Sequence, residues 1–345
     1  MIEINGTRGE GGGQIVRSSL ALAAVTGQPV RIDNIRGGRT KPGLLRQHLT
    51  GVRAITQVCS AATQGDELGS ATLTFEPSRA VGGNYTFEVG SAGSAILVAQ
   101  TILPALLSAE EASVVTIGGG THASWAPPFD FFDRCFLPLL RRMGGNVEAT
   151  IHAHGFYPAG GGEIELRVEP IEQWQSLSLL ERTGTLRPRV QSLVSKIPIS
   201  VANRECNVIR RKANWDAKVC EAIEVPRSGG PGNVVMIELG FDNVTELFIG
   251  IGKVGVRAEQ VARSTLREAR SYLAGNFPVG QYLADQLLLP MGIAASCGQS
   301  SEMRTGPLSL HSQTHIEVLQ QMLDIEIAAT TNADQSVRVS ISPKH

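Results

Sequence analysis

Apolar and polar positions along this chain follow a rhythm that repeats three times. Near the start, apolar side chains at close to helical spacing fill 18–26, and a short strand pattern follows at 30–32. A second helical pattern begins at Leu44, and strict alternation over 71–77 ends at Pro77. The same order returns with an apolar helix up to Leu107, an apolar run at 113–117, a glycine loop at 118–122, a helical pattern over 129–143 and an alternating strand at 163–170. It returns again after Val279, with a helix over 281–295, a strand at 306–310, a loop at 309–315, a helix to Leu323 and an alternating strand at 336–343. Helix, strand, loop, helix, strand is the predicted order of each unit, which makes the chain α/β.

The units are unevenly spaced. Pro77 and Pro170 close the first two and Pro343 closes the third, so the last interval is longer by roughly 80 residues, a length that suits an inserted domain. A change in composition places it at 182–273 and leaves 1–181 plus 274–345 as the three-repeat body. Within the insertion the pattern predicts a strand near 190–196, a helix through Cys206 and strands at 234–239 and 246–251. A helix from Ala258 completes it, and a small α/β domain with a four-stranded sheet is the simplest packing.

Composition narrows the function classes. The 345 residues carry a formal net charge of -1 with 42% hydrophobic and 18% charged positions, so a nucleic-acid contact must be local rather than a general basic coating. No run reaches the ~18 apolar residues of a membrane helix and no signal peptide opens the chain, so a cytoplasmic location is expected. Cys59, Cys135, Cys206, Cys220 and Cys297 are odd in number and lack a C-x-x-C pair, which argues for reduced thiols rather than disulfides or a zinc knuckle.

The chemistry gathers in glycine-loosened loops. Gly9-Glu10-Gly11-Gly12-Gly13-Gln14-Ile15-Val16-Arg17 runs into an apolar helix whose amide N–H groups favour an anion. Glu10 would repel a bare phosphate, so a bridging metal is needed to reconcile the two. The second loop, Arg36-Gly37-Gly38-Arg39-Thr40-Lys41-Pro42-Gly43, places three cations close together, and the pair of loops reads as a polyphosphate cradle. Seven histidines are available as nucleophiles. His122, His152 and His154 sit in or beside turns and His345 ends the chain, whereas His48, His311 and His315 lie near the loops. His311 and His315 are spaced i and i+4 without a third metal ligand at a suitable spacing, which speaks against a zinc site.

Several of these stretches, with Gly90-Ser91-Ala92-Gly93-Ser94, His154-Gly155-Phe156-Tyr157-Pro158-Ala159-Gly160-Gly161-Gly162 and Tyr282-Leu283-Ala284-Asp285-Gln286, closely resemble the RNA 3′-terminal phosphate cyclases, and the resemblance covers the whole chain. It implies three βαβαββ-type units around a pseudo-threefold, an architecture related to enolpyruvyl transferases, with a small inserted domain. It also implies ATP-dependent conversion of an RNA 3′-phosphate end into a 2′,3′-cyclic phosphate through a histidine-bound AMP and an adenylated RNA end. Carried over residue by residue, it marks His315 as the nucleophile, with His311 as the alternative, and Glu10 as a ligand for a divalent metal, Mg²⁺ or Mn²⁺. Arg17, Arg36 and Arg39 become phosphate clamps. Gln47, His48, Gln100, Pro127, Tyr282, Asp285 and Gln286 line the nucleotide or the RNA end, with Tyr282 and Pro127 flanking adenine. If the last helix starts at or after Thr314, only His315 occupies its first turn. A non-catalytic RNA-binding or ribosome-assembly homologue is the competing reading, and retention of the full phosphate-activating set argues against it. The repeats are expected to close without the insertion.

Overall fold

Each unit opens with a short strand that the hydropathy pattern does not announce. In the computed structural model, which describes residues 1–344 and leaves His345 outside the described residues, unit one runs β1 (Ile2–Asn5), α1 (Gly13–Thr26), β2 (Val30–Asp33), α2 (Arg46–Val58), β3 (Ala62–Gln64) and β4 (Leu73–Glu76). Strand β1 lies parallel to β2, and β2–β4 and β4–β3 are antiparallel, giving the order β1-β2-β4-β3.

Unit two repeats this with β5 (Gly83–Glu88), α3 (Ala95–Leu107), β6 (Ser113–Gly119), α4 (Phe129–Phe131), a π-helical stretch over Phe132–Phe136, α5 (Leu137–Arg142), β7 (Val147–Ala153) and β8 (Gly162–Val168). The sheet order is again first, second, fourth, third. The helix expected over 129–143 is therefore broken in its middle by the π stretch.

Unit three begins with β9 (Ser178–Leu179), so its first strand precedes the insertion instead of following it. The insertion holds β10 (Arg187–Ser195), α6 (Ser200–Ala213), β11 (Cys220–Glu224), β12 (Gly232–Gly240), β13 (Thr245–Ile251) and α7 (Ala258–Ala274), and its four strands pair in the order β11-β10-β12-β13. Unit three then resumes with α8 (Gln281–Ser296), β14 (Ser301–Thr305), α9 (Leu310–Met322), β15 (Ile325–Thr331) and β16 (Val337–Pro343). Its sheet, β9-β14-β16-β15, has the topology of the other two. The fold is thus three βαβαββ units with a small inserted α/β domain.

The predicted strand at 306–310 is displaced. The strand lies at Ser301–Thr305, and Gly306 and Pro307 carry the chain out of the sheet into a helix that begins at Leu310. Ser309 sets that start, because its hydroxyl accepts from the Ser312 amide at 3.0 Å. His311 is therefore inside the first turn of α9, and the expectation of a start at or after Thr314 is wrong.

Helices α1, α3 and α8, the first helix of each unit, are buried on nearly all sides. A helix apolar all round is one packed in the centre of a core, and these three form it. The insertion's sheet divides its side chains by the period of two. Val235, Ile237 and Leu239 pack under α6 and α7 with Ile209, Ala262 and Leu266, whereas Val234, Met236 and Leu247 turn to the main core. Buried Glu246 of β13 also accepts from the amide of Gly280, the N-cap of α8, at 2.5 Å. Burial pushes that carboxyl up to about 8, so it is neutral below that pH. Among the described residues no helix is long and apolar enough to cross a membrane.

Candidate active site

A cavity opens between the three central helices. Gln14, Arg17 and Ser18 of α1, Gln100 of α3, Asp285 and Gln286 of α8, and His315 of α9 supply its polar wall. Leu103, Leu107, Phe136, Trp174 and Leu289 are among its apolar lining, so a ligand's flat apolar part and its charged part meet different chemistry.

Asp285 organises the polar wall. Its Oδ1 accepts from Gln14 Nε2 at 2.8 Å and lies 2.9 Å from His311 Nδ1. His315 Nδ1 is 3.5 Å from the same oxygen, near enough for attraction between charges but too far for a good hydrogen bond. Burial alone would push the Asp285 carboxyl up, but hydrogen bonding and charge from His311 and His315 outweigh it and hold the group well below the usual carboxylate range. Asp285 is therefore a permanent anion beside two imidazoles. On its other side, His315 Nε2 is 3.0 Å from Ser18 Oγ.

The Gly9 loop reaches the same point from unit one. The Glu10 amide donates to Thr314 Oγ1 at 3.2 Å, and Glu10 Oε2 lies 3.2 Å from His311 Nε2. The other Glu10 oxygen pairs with Arg39. Gly9 has a left-handed φ of 53°, and a Cβ there would collide with the Thr314 hydroxyl, so close approach of the loop to α9 requires glycine. Two buried polar atoms lack hydrogen-bond partners here, Glu10 Oε2 and His315 Nδ1. Buried polar atoms are normally paired, so these two are placed to meet a polar ligand group.

A divalent cation fits this arrangement in one way. Among the described residues no three His, Cys, Asp or Glu side chains are grouped to enclose a metal. Magnesium-type ions in phosphate chemistry are commonly held by one or two carboxylates, with water and substrate oxygens filling the rest of the shell, and Glu10, whose Oε2 accepts no hydrogen bond, suits that pattern.

The other residues marked from the sequence fall into three groups. His48 is buried against the start of α1, where a Cβ on Gly13 would collide with its Nε2. Its Nδ1 accepts from the Leu45 amide at 3.2 Å, and burial followed by the charges of Arg17 and Arg36 pushes it down to about 3. It is a neutral imidazole with an Nε2–H to donate. Arg17 is itself lowered to about 10 by burial, partly offset by Asp285, and stays cationic at neutral pH. Gln100 and Gln286 bond to each other across the cavity wall.

Gln47 and Arg36 are both engaged by backbone groups of the protein. Gln47 Oε1 accepts from the Ser94 amide at 3.2 Å, joining units one and two. Arg36 donates to the carbonyls of Lys41 and Gly43 at 2.5 and 2.9 Å, so its guanidinium shapes the second glycine loop. Pro127 and Tyr282 do not line the cavity. Tyr282 is 67% exposed on the first turn of α8, and Pro127 is half-buried in the loop before α4.

Sequence reasoning missed Gln14 and Ser18 and placed His311 outside the helix. The signal was present: Gln14 and Ser18 are polar residues at i and i+4 flanking Arg17 at the start of a largely apolar helix, matching the i and i+4 spacing of His311 and His315 opposite.

Comparison with known proteins agrees on one family. The family model described as RNA 3'-terminal phosphate cyclase matches residues 8–329. A Pseudomonas fluorescens protein named RNA 3'-terminal phosphate cyclase is 44% identical over 98% of this chain and 97% of its own. Proteins of the same name from Ectopseudomonas mendocina and Koribacter versatilis are 44% and 41% identical, over 99% and 100% of this chain and 98% and 96% of theirs. The crystal structure of the enolpyruvyl transferase NikO from Streptomyces tendae superposes with a TM-score of 0.38 at 11% identity, over 98% of this chain and 47% of that one, a likeness too weak to carry an argument.

Proposed function

The chain belongs to the RNA 3′-terminal phosphate cyclase family and is an enzyme, and on that premise we propose that it uses ATP to convert an RNA 3′-terminal phosphate into a 2′,3′-cyclic phosphate, releasing AMP and pyrophosphate. The observation that carries this reading is buried His315, with Nδ1 toward an ionised Asp285 and Nε2 toward Ser18, at the wall of a cavity that Arg17 also lines.

His315 is the nucleophile. Its Nδ1 faces the Asp285 carboxylate, which favours the tautomer with a lone pair on Nε2 and stabilises the positive charge that grows as Nε2 attacks. Attack on the α-phosphorus of ATP forms a P–N bond and breaks the P–O bond to pyrophosphate. Arg17 and Arg39 stabilise the departing charge, and the N–H of neutral His48 donates without adding charge. A divalent ion, Mg²⁺ or Mn²⁺, held by Glu10 would neutralise more of it.

An oxygen of the RNA 3′-phosphate then attacks the adenylate phosphorus, the P–N bond breaks, and the imidazole is restored. The adjacent 2′-hydroxyl loses its proton as it attacks the activated 3′-phosphate, and AMP leaves with the ring closed. An end lacking a 2′-hydroxyl would be activated but not cyclised. Five free cysteines suit the reducing cytoplasm, where ATP and RNA ends are both present.

Incubation with α-labelled ATP and a divalent ion tests the reading. Label is expected to stay on the denatured protein, to be lost in acid as a phosphoramidate requires, and to pass to RNA bearing a 3′-phosphate. A protein that binds ATP and 3′-phosphorylated RNA but never acquires label would be a binding homologue instead.

A further inference from the structure

Charge is divided unevenly over this nearly neutral chain. Residues 182–273 hold fifteen Lys and Arg against nine Asp and Glu, a formal +6, so the remaining residues carry -7 of the total of -1. Two of the nine acids, Glu205 and Glu246, are buried with their pKa values pushed up by burial, which leaves the outer surface still more positive.

The positive side chains are collected by the helices. On α7, Val261, Ala262, Thr265, Leu266 and Ala269 are buried against the sheet, while Arg263, Arg267 and Arg270 are exposed on the opposite side. At 1.5 Å rise per residue, Arg263 and Arg267 stand about 6 Å apart along the axis. Helix α6 lies alongside in the same direction, since Arg204 near its start meets Glu259 near the start of α7 and Arg270 near the end of α7 bonds to the Lys212 carbonyl. Arg204, Arg211 and Lys212 of α6 are exposed as well.

Two acidic residues of α7 lie by the stripe, Glu259 and the exposed Glu268 next to Arg267. Glu259 pairs with Arg204, but among the described residues no carboxylate lies within 4.0 Å of Arg211, Lys212, Arg263, Arg267 or Arg270. Arg267 bonds only to a hydroxyl, Ser264 Oγ, at 3.1 Å. Helix faces that solvent alone would cover usually mix both signs.

We propose that the outer face of α6 and α7 binds the phosphate backbone of the RNA strand upstream of the 3′ end held in the cavity. The inference rests on the proposed function for the identity of the strand and goes beyond it by giving the inserted domain a task. Arginines spaced along a helix suit successive phosphates, and such contacts position a strand without reading its sequence. A membrane is the weaker match: the exposed apolar residues Ile199, Val254 and Val256 precede the two helices and do not alternate with the arginines, as an interfacial face requires.

The triple variant R211Q/R263Q/R267Q tests this in the full chain and leaves the Arg270 tie between the helices intact. Binding of 3′-phosphorylated RNA of about 20 nucleotides and of 4 nucleotides is measured by anisotropy over a range of salt, alongside thermal unfolding and adenylation of the protein without RNA. The expected result is at least about tenfold weaker binding of the longer RNA, with a salt slope smaller by about 2, as loss of three phosphate contacts to a single strand predicts. The short RNA, the unfolding midpoint and the label on the protein should be unchanged. Unchanged affinity and slope for the long RNA would overturn the proposal, as would an equal loss for the short one or a loss of binding to phosphatidylserine vesicles with RNA binding intact. A wild type that takes no label but shows the same arginine-dependent RNA binding would remove the proposed reaction and leave this surface standing.

Discussion

Two histidine–carboxylate clusters sit in this molecule with similar distances and different character. In unit two, His122 Nε2 lies 2.8 Å from Asp130 Oδ2, and against the cavity-lining Asp285 His311 Nδ1 lies 2.9 Å from Oδ1. The unit-two cluster is closed. Thr121 Oγ1 meets the other His122 nitrogen at 2.9 Å, Arg134 takes the other Asp130 oxygen at 2.9 Å, and His154 stacks on the ring at 5.3 Å between centroids. The cavity cluster is open: neither Glu10 Oε2, 3.2 Å from His311 Nε2, nor His315 Nδ1 makes a hydrogen bond. A buried polar network that is fully paired rigidifies a fold, whereas one with unmet valences next to a cavity is set up for a ligand.

The largest expected effect separates the two imidazoles of the open cluster. His315→Ala should abolish adenylation, a fall of at least about a thousandfold, because the proposed nucleophile is gone. His311→Ala should lower the rate about ten- to a hundredfold, since Asp285 keeps Gln14 as a partner and loses one of its two imidazoles. Both are read from α-label retained on denatured protein, and full labelling of His315→Ala would transfer the nucleophile's role elsewhere.

Glu10→Ala should cost about ten- to a hundredfold in metal-dependent activity, and raise the metal concentration needed for half-maximal rate, with the thermal midpoint nearly constant. A metal titration that superposes on the wild type would remove Glu10 from the metal's shell and close that side of the comparison.

Asp130→Ala should behave in the opposite sense. It strips a buried imidazole and Arg134 of their shared partner, so stability should fall by about 3 kcal/mol while labelling per folded molecule stays the same. Denaturant unfolding measures the first and a burst of label the second. A variant that kept its stability but lost its label would make the unit-two cluster part of the chemistry.

The smallest effect is on pH dependence. Burial, then the charge of His122, pushes His154 down to about 4, with Asp130 acting the other way. A base whose folded pKa lies below its unfolded value near 6.5 takes up its proton more readily when the chain unfolds. The stability it contributes is present above about pH 6.5 and is lost as pH falls toward 4. His154→Asn should therefore flatten the acid side of a plot of thermal midpoint against pH, and an unchanged slope would place the sensitivity in another group.

The repeat was legible in the sequence, because burial of one helix or strand face imposes a period that can be counted, and 71–77, 163–170 and 336–343 all carry it. The sequence also placed Glu10, Arg17 and Asp285 in motifs specific enough to indicate a family, and the resemblance they carry marked His315, with His311 as alternative. The opening strands stayed hidden, since two to six residues with alternating exposure leave too little signal, and β9 has two. The start of α9 turned on one serine hydroxyl finding an amide, a local competition that periodicity does not see. Tertiary structure alone decided that Ser18 from α1, Asp285 from α8 and His315 from α9 share one wall, that Arg36 is occupied by its own loop, and that Glu246 of the insertion holds the start of α8. Those outcomes depend on how three separately legible units press together, and contacts between residues nearly 300 positions apart leave no trace in the spacing of either partner.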